Sequence, residues 1–208
     1  MQSFLELIDE LVDCSSPSEC LEREDRIRAG FERECALLAL DMSGYSVSVR
    51  RGGILPHLCR IRCMQRLVDP IVRAHGGDVI RQIADNIMAV FPNPLEALQA
   101  AVAINKAVGV PFTCKDEQGK DSPLEVAIGI DYGRILVVPG QDCFGDPVNV
   151  AYKLGEDVAR AGEILITESA RTRLIDCETQ GAPPLSYTLE FLELSVSGVE
   201  IPAFKVLF

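Results

Sequence analysis

The chain has 208 residues, of which 48% are hydrophobic, and a formal net charge of −11 at pH 7. This length and apolar content suffice for one large domain, or for one domain with an extension. The acidic charge leaves no basic stripe to neutralise phosphates, which excludes nucleic acid as a partner and disfavours an anionic membrane surface. No apolar run has membrane-spanning length and no basic signal region occurs, so we expect a soluble, cytoplasmic protein without a membrane partner.

The first 34 residues predict two helices ahead of the first core strand. Residues 3–12 place apolar side chains at a helical period. Ser18 is a candidate cap for a second, charged helix that ends near residue 34. We interpret residues 1–34 as a helical extension, either a packing arm or a dimerisation element, and residues 35–208 as the main domain.

The main domain begins with strands and helices whose order defines its fold. The elements are strand 35–41, a helix start at 46–51, helix 55–74, hairpin 78–91, helix 95–108, polar loop 111–123, and strands 124–130 and 135–138. This β, α, β, β, α, β order predicts an α+β, ferredoxin-like core with an antiparallel sheet.

Further elements follow this core and complete the chain. They are helix 147–161, strand 164–167, helix 168–174, a turn region at 176–185, and two closing antiparallel strands at 186–194 and 201–208.

Eight cysteines occur at irregular spacings. Cys35, Cys59 and Cys63 lie within apolar patterns, so we expect buried thiols in a reducing compartment rather than a disulfide framework. Cys59 and Cys63 lie four residues apart near His57, but only two histidines and no CxxC pair are present, which argues against a zinc site.

Two carboxylates end or connect predicted strands. Asp41 ends the first strand and precedes a glycine turn with a hydroxyl at a helix cap. Such a segment can hold a divalent cation and offer backbone N–H groups to phosphate. Asp85 lies at the hairpin tip, where Asp85-Asn86 is a candidate two-residue turn. Two carboxylates on neighbouring strands would form a two-metal site.

A third group of polar residues lies near the helix predicted at 147–161. Asn149 and Lys153 are four residues apart and therefore share one helix face. An amide and a cation that point the same way can hold a ribose and a phosphate. Asp142 lies ahead of them in the preceding loop.

Four segments together, in register over residues 35–208, resemble the class III nucleotidyl (adenylate/guanylate) cyclase catalytic domain, of the small standalone type found in bacteria. The segment Asp41-Met42-Ser43-Gly44-Tyr45-Ser46 resembles its first metal motif, and residues 76–91 resemble its hairpin, with Asp85 at the second metal position. Residues 129–134 are similar to the family's Gly-Ile-His-x-Gly-Arg. Residues 142–153 resemble its Asp…Trp/Phe-Gly-Asp-x-Val-Asn-x-Ala-x-Arg motif.

The resemblance implies conversion of a nucleoside triphosphate to the 3′,5′-cyclic monophosphate and pyrophosphate at two Mg²⁺ or Mn²⁺ ions per site. Asp41, Asp85 and the Met42 carbonyl would hold the metals. One ion would lower the pKa of the ribose 3′-hydroxyl that attacks the α-phosphate, and the other would neutralise the triphosphate.

The resemblance also implies roles for the substrate contacts. Asn149 would orient the ribose, Lys153 would stabilise the transition state, and Arg81 and Asp142 would recognise the base. The β- and γ-phosphates would be held by Arg134 and by backbone amides of the loop after Asp41, which comprises Ser43, Gly44, Tyr45 and Ser46. Because the family shares each site between two subunits, we expect a head-to-tail homodimer with two sites.

Three residues depart from the family's pattern. Arg81 stands where adenylate cyclases usually carry the adenine-reading lysine, and its fork can donate two parallel hydrogen bonds to a carbonyl. Lys153 replaces the transition-state arginine, so we expect an enzyme slower by roughly one or two orders of magnitude. Ser197 replaces a late phosphate-binding lysine and carries no charge.

Three functions therefore stay open at this point. ATP is the favoured substrate because Asp142 is retained. Arg81 admits a pyrimidine cyclase that makes cUMP or cCMP in anti-phage signalling, because uracil offers carbonyl acceptors. Lys153 and Ser197 favour a catalytically weak homologue that binds nucleotide or a partner, although such a protein has no need of both Asp41 and Asp85.

Overall fold

The structure is a computed structural model that describes residues 2–43, 54–110, 114–115, 120–180, 186–196 and 199–208. The helices are α1 (Phe4–Val12), α2 (Pro17–Phe31), α3 (Ile54–Ala74), α4 (Pro94–Val108), α5 (Asp146–Tyr152), which continues into a π-helical segment (Lys153–Val158), and α6 (Glu168–Thr179). The strands are β1 (Glu32–Met42), β2 (Asp78–Ile83), β3 (Asn86–Phe91), β4 (Cys114–Lys115), β5 (Asp121–Ser122), β6 (Val126–Val138), β7 (Asp142–Phe144), β8 (Ile164–Thr167), β9 (Thr188–Val196) and β10 (Val199–Leu207).

One large sheet runs in the order β2-β3-β1-β6-β8-β10-β9, and β7 pairs along β6. All of its paired strands are antiparallel except β6 and β8. The order β2-β3-β1-β6, with α3 and α4 as crossovers, is that of a ferredoxin-like sheet. The predicted α+β fold class is therefore confirmed.

Strand β1 is buried on both faces, which explains its continuous apolar run. Leu38 and Leu40 pack in the core that includes residues of α3 and α4. Leu37 and Ala39 point to the opposite face, where α5 supplies Ala151. Asp41 follows this alternation and lies on the same face as Leu37 and Ala39.

The α5 helix and its π-helical continuation lie directly against the sheet. A Cβ added to Gly129 of β6 would come within 2.6 Å of the Gly155 amide nitrogen, and one added to Gly155 would come within 2.9 Å of the Ala39 carbonyl oxygen. Only glycine permits this approach. The two glycines therefore fix the position of the helix over β1 and β6.

The two N-terminal helices form a hairpin beside β6 and β7. Phe4 stacks on Phe144 with ring centroids 5.6 Å apart and packs edge-on against Phe31. Ser16, rather than the predicted Ser18, caps α2, because its hydroxyl accepts the Glu19 amide hydrogen while proline occupies the first helical position.

The cysteine prediction was wrong in two respects. Cys14 and Cys20 form a disulfide, since the turn between α1 and α2 brings their Cα atoms to 5.5 Å. Cys59 is exposed and Cys63 is only partly buried, whereas Cys35 is a buried free thiol as expected. Cys143 is also a buried free thiol. Within the described ranges, no group of three or more His, Cys, Asp or Glu residues is arranged for a metal.

Several predicted boundaries also require correction. Residues 124–138 give one strand from Val126, not two, because β6 pairs with β1 through Gly133 and Arg134. The last helix extends beyond residue 174 to Thr179, and the preceding helical segment ends at Val158. The helix start predicted at 46–51 and most of the loop predicted at 111–123 lie outside the described residues.

No helix in the described part of the chain is long and apolar enough to cross a bilayer.

The contact at Gly129 predicts a large loss of stability on substitution. Gly129→Ala is expected to lower the free energy of unfolding by about 1–3 kcal/mol or more, because the added methyl meets backbone atoms that cannot move aside. Urea unfolding followed by circular dichroism measures the change. Gly30→Ala is the control: nothing lies within 4 Å of its Cβ position, so this variant should be neutral or slightly more stable. Equal stability of the two variants would contradict the packing described.

Candidate active site

The register between β1 and β3 brings the two predicted metal carboxylates together. Asp41 pairs with Asn86, and Asp85 directly precedes Asn86 in the hairpin turn. The turn residues are Ala84 and Asp85, not Asp85 and Asn86 as predicted, because Ile83 pairs with Asn86 and Ala84 takes a φ of 50°. The shift by one residue leaves Asp85 at the tip, where it is buried.

The site carries crowded negative charge. The pKa of the Asp41 carboxyl is raised to about 7, first by burial and then by the charges of Asp85 and Glu156, while a hydrogen bond from the Met42 backbone opposes the shift. The pKa of Glu156 is also raised, by burial and then by Asp157 and Asp85. Repulsion among acids that share a site makes this arrangement costly without a cation.

These residues fit a hard divalent cation. Asp41, Asp85 and Glu156 form no salt bridge with the described residues. The side-chain oxygen of Asn86 is buried and has no hydrogen-bond partner among the described residues. Mg²⁺ and related cations prefer carboxylate and carbonyl oxygens. The donor set therefore matches the predicted metals, with Met42 adjacent to Asp41 in the chain.

The loop after Asp41 is described only at its start. The Ser43 amide donates to the Glu125 carbonyl at 2.9 Å. That amide is therefore already hydrogen-bonded within the protein in this conformation, and its role at a phosphate stays a prediction. Gly44, Tyr45 and Ser46 lie outside the described residues.

The two predicted base-recognition residues meet. Arg81 of β2 forms an ion pair with Asp142 of β7. The other carboxylate oxygen of Asp142 accepts the Cys143 amide hydrogen at 2.9 Å. Both side chains are only half-buried, so a ligand can reach them.

Asn149 and Lys153 lie one helical turn apart, and the Lys153 amide donates to the Asn149 carbonyl. Asn149 is exposed and Lys153 is partly exposed. The helix that carries them starts far from Asp41. Its first turn packs on β6 through a contact between Pro147 and Gly133. Gly133 lies six residues, or about 20 Å, along β6 from Ala127, which pairs with Asp41. Asn149 therefore lies away from the Asp41 carboxylate of its own chain.

Arg134 is also distant from the metal carboxylates of its own chain. It pairs with Glu34, whereas Asp41 pairs with Ala127, seven residues or about 23 Å away along β6. Arg134 lines a cavity of about 610 Å³ beneath the N-terminal hairpin, together with Ile8, Leu11 and Phe144.

Sequence reasoning missed two polar residues of this site. Asn86 had been interpreted only as a turn residue, and Glu156 only as part of an amphipathic helix. The position of Asn86 directly after the metal candidate Asp85 was the one available signal for it. Nothing local indicated Glu156, since its proximity to Asp41 depends on how the helix crosses the sheet.

Comparisons with known proteins agree with this geometry. No protein-family model matches the chain. The chain is 28% identical over 136 residues to "Putative adenylate cyclase 3" of Rhizobium meliloti, an alignment that covers 65% of this chain and 22% of that protein. A crystal structure of an adenylate/guanylate cyclase/hydrolase from Silicibacter pomeroyi matches with 27% identity and a TM-score of 0.65, over 85% of this chain and 97% of that one. The chain is therefore similar in sequence and in fold to class III adenylate/guanylate cyclase catalytic domains.

A further solved cyclase structure shares the fold. The catalytic core of a rhodopsin-guanylyl cyclase with converted specificity, in complex with ATPαS, has a TM-score of 0.68 and 21% identity and covers 85% of this chain and 97% of that one. The chain spans 22% of the length of the Rhizobium meliloti protein. It spans 32% of the length of two uncharacterized proteins that it also matches, from Mycobacterium bovis and Mycobacterium tuberculosis.

In this chain, Asp131 occupies the histidine position of the segment that resembles Gly-Ile-His-x-Gly-Arg. It is buried and accepts hydrogen bonds from the Thr167 hydroxyl and, at 2.7 Å, from the Tyr132 amide. Thr167 also caps α6 by accepting the Ala170 amide hydrogen. Asp131 thus joins β6 to the start of α6. Burial raises the pKa of its carboxyl to about 6, against the opposing effect of these hydrogen bonds.

This shift predicts the pH dependence of an Asp131→Asn variant. The folded pKa of about 6 exceeds the unfolded value of 3.8, so the folded state binds more protons between these values and its stability falls as pH rises. Asparagine keeps the acceptor oxygen but does not ionise. Above pH 6.5, the free energy of unfolding of the variant should therefore exceed that of the wild type by up to about 3 kcal/mol. The difference should be smaller towards pH 4.5.

Urea unfolding between pH 4.5 and 7.5 measures this difference. The exposed carboxylate Asp25 provides a control in Asp25→Asn. A difference between Asp131→Asn and wild type that stays constant with pH would show that the carboxylate is not held in the way described.

Proposed function

We propose that this domain converts a nucleoside triphosphate, with ATP favoured, to the 3′,5′-cyclic monophosphate and pyrophosphate, at sites shared between two copies of the chain. The observation that carries the proposal is the placement of Asp41 and Asp85 side by side through the β1–β3 register. The nucleotide held by the solved guanylyl cyclase relative supports a triphosphate substrate.

Asp41 and Asp85, with the Met42 carbonyl, would hold two Mg²⁺ or Mn²⁺ ions. When bound, these ions supply acidification of the ribose 3′-hydroxyl and neutralisation of the triphosphate charge. The protein's own part is to hold the carboxylates in place before the substrate arrives. The paired strand β1 does so for Asp41, and burial in the hairpin turn does so for Asp85.

Asn149 and Lys153 would act on the substrate bound at the partner's carboxylates. Asn149 would orient the ribose by hydrogen bonding, and the Lys153 ammonium would stabilise the charge that develops on the α-phosphate. Within one chain, the start of their helix lies about 20 Å along β6 from Ala127, the residue that pairs with Asp41. This separation supports a two-fold homodimer, in which Asn149 of one copy reaches the carboxylates of the other.

Arg81 and Asp142 would recognise the base. Asp142 can accept a hydrogen bond from the exocyclic amine of adenine, which favours ATP. Arg81 would donate to acceptors of the base.

A second candidate is a pyrimidine cyclase, favoured by the Arg81–Asp142 ion pair. One oxygen of Asp142 already accepts from Arg81 and the other from the Cys143 amide. Fewer free acceptor positions remain for an adenine amine, whereas the Arg81 fork can still donate to the carbonyl oxygens of uracil or cytosine.

A direct product assay tests the proposal. Purified protein is incubated with ATP, GTP, CTP and UTP separately, each with Mn²⁺, and cyclic products are identified by mass spectrometry beside Asp41→Ala. Cyclic AMP made by the wild type and absent from the Asp41→Ala reaction supports ATP as the substrate. Cyclic UMP or CMP supports the pyrimidine candidate, and no product from any nucleotide at concentrations that maintain the dimer would refute both enzymatic functions.

The proposed role of Lys153 predicts a gain of activity. Lys153→Arg restores a forked donor and should raise kcat about 10- to 100-fold, whereas Lys153→Ala should lower it. Steady-state rates with the preferred nucleotide measure both changes. Lys106→Arg on the exposed face of α4 is the matched control and should leave kcat unchanged. A Lys153→Arg variant no faster than wild type would contradict the assigned role.

A further inference from the structure

Asn86 holds an oxygen that the described residues leave unused. Its side-chain Oδ1 is buried and accepts no hydrogen bond from the part of the chain that the structure describes. A buried acceptor without a partner loses its hydration without compensation, so native proteins rarely keep one unless something else fills the position. Asn86 follows the hairpin turn that carries Asp85, in the site proposed above.

The strand register determines which way this oxygen lies. Asn86 is the direct cross-strand partner of Asp41 in the antiparallel β1–β3 pair. Directly opposed residues project to the same face, with Cβ atoms about 4.5–5.5 Å apart. The alternation of side chains along β3 agrees with this. Met88 and Val90 lie on the same face as Leu37 and Ala39 of β1. Asn86 is two residues before Met88, so its side chain lies on that face as well.

The surroundings of Asn86 are rich in acceptors. Asp41 lies directly opposite Asn86, and Asp85 directly precedes it in the chain, so two carboxylates lie beside this amide. The amide oxygen adds a further acceptor to them and increases the need for a positive partner. Amide carbonyl oxygens commonly join carboxylates in binding hard divalent cations, which accept six or more oxygen ligands.

We propose that Asn86 Oδ1 is an additional ligand for a divalent cation held at Asp41 and Asp85. The inference rests on the proposed function and adds to it a metal contact that the motif resemblance does not contain. It explains why an amide with a buried, unpaired oxygen stands beside the two acids. It also supplies an oxygen beyond the two carboxylates and the Met42 carbonyl.

Metal binding without turnover tests this contact. Mn²⁺ is titrated into the full chain by isothermal calorimetry, with electron paramagnetic resonance to count bound ions, in the presence and absence of ATPαS. Loss of even an outer partner of a metal ligand weakens affinity about 10- to 100-fold. Asn86→Ala is therefore expected to raise the Mn²⁺ Kd at least about tenfold, whereas Asn86→Asp, which retains an oxygen, should bind Mn²⁺ at least as tightly as wild type.

A matched control separates the metal contact from the loss of an amide. Asn105 on α4 also has a buried side-chain oxygen without a partner, although its amide nitrogen donates to the Gly162 carbonyl at 2.9 Å. Asn105→Ala should leave the Mn²⁺ Kd unchanged. Thermal unfolding with and without Mn²⁺ gives a second readout: Mn²⁺ should stabilise Asn86→Asp strongly and Asn86→Ala weakly.

The outcomes distinguish this inference from the proposed function. If Asp41→Ala abolishes Mn²⁺ binding but folded Asn86→Ala binds as wild type does, the Asn86 contact is refuted and the catalytic site stands. If Asn86→Ala does not fold, Mn²⁺ binding by Asn86→Asp weaker than that of wild type refutes the contact. Wild-type protein that binds no Mn²⁺ with or without ATPαS refutes both.

Discussion

The hydrogen-bonded pairing of β1 with β3 is the constraint on which the site depends. Its register sets Asp41 opposite Asn86 and places Asp85 at the adjoining turn. A slip of one residue would turn Asp41 to the other face of the sheet, into the apolar core against α3 and α4. The continuous apolar run of β1 prevents such a slip, because Leu38 and Leu40 must stay in that core. The packing that stabilises the fold therefore also fixes the carboxylates.

The same sheet positions the second half of the site through close backbone contact. Gly129 and Gly155 allow the α5 helix and its π-helical continuation to lie on β6 and β1 without intervening side chains. This contact holds Asn149 away from Asp41 of its own chain and brings Glu156 near it. Each chain thus holds Asp41 and Asp85 at one end of the sheet and the start of the helix that carries Asn149 towards the other. This separation suits the proposed two-fold assembly with two shared sites.

Much of this arrangement could be predicted because it depends on local patterns. The apolar run before Asp41 indicated a buried strand, and the residues around Asp85 indicated a hairpin. The turn was misplaced by one residue because Ala84, rather than Asn86, takes the positive φ. Residues 131–134 suggested a turn, yet pairing with β1 keeps them extended, a tertiary effect that overrides local preference. The Cys14–Cys20 disulfide depends on the turn between α1 and α2, and the proximity of Glu156 to Asp41 depends on how the helix crosses the sheet. Periodicity encodes neither.

The measurement that tests the shared site most directly is complementation between two inactive variants. In the proposed function, Asp41→Ala removes a metal carboxylate and Lys153→Ala removes a substrate contact, so each homodimer should have two damaged sites. A mixture that exchanges subunits forms mixed dimers with one intact site each, and equal amounts should recover about one quarter of wild-type cyclic nucleotide production. Recovery of this size would support a site built by two chains. A mixture that stays inactive, beside active wild-type protein and with subunit exchange verified, would contradict the account.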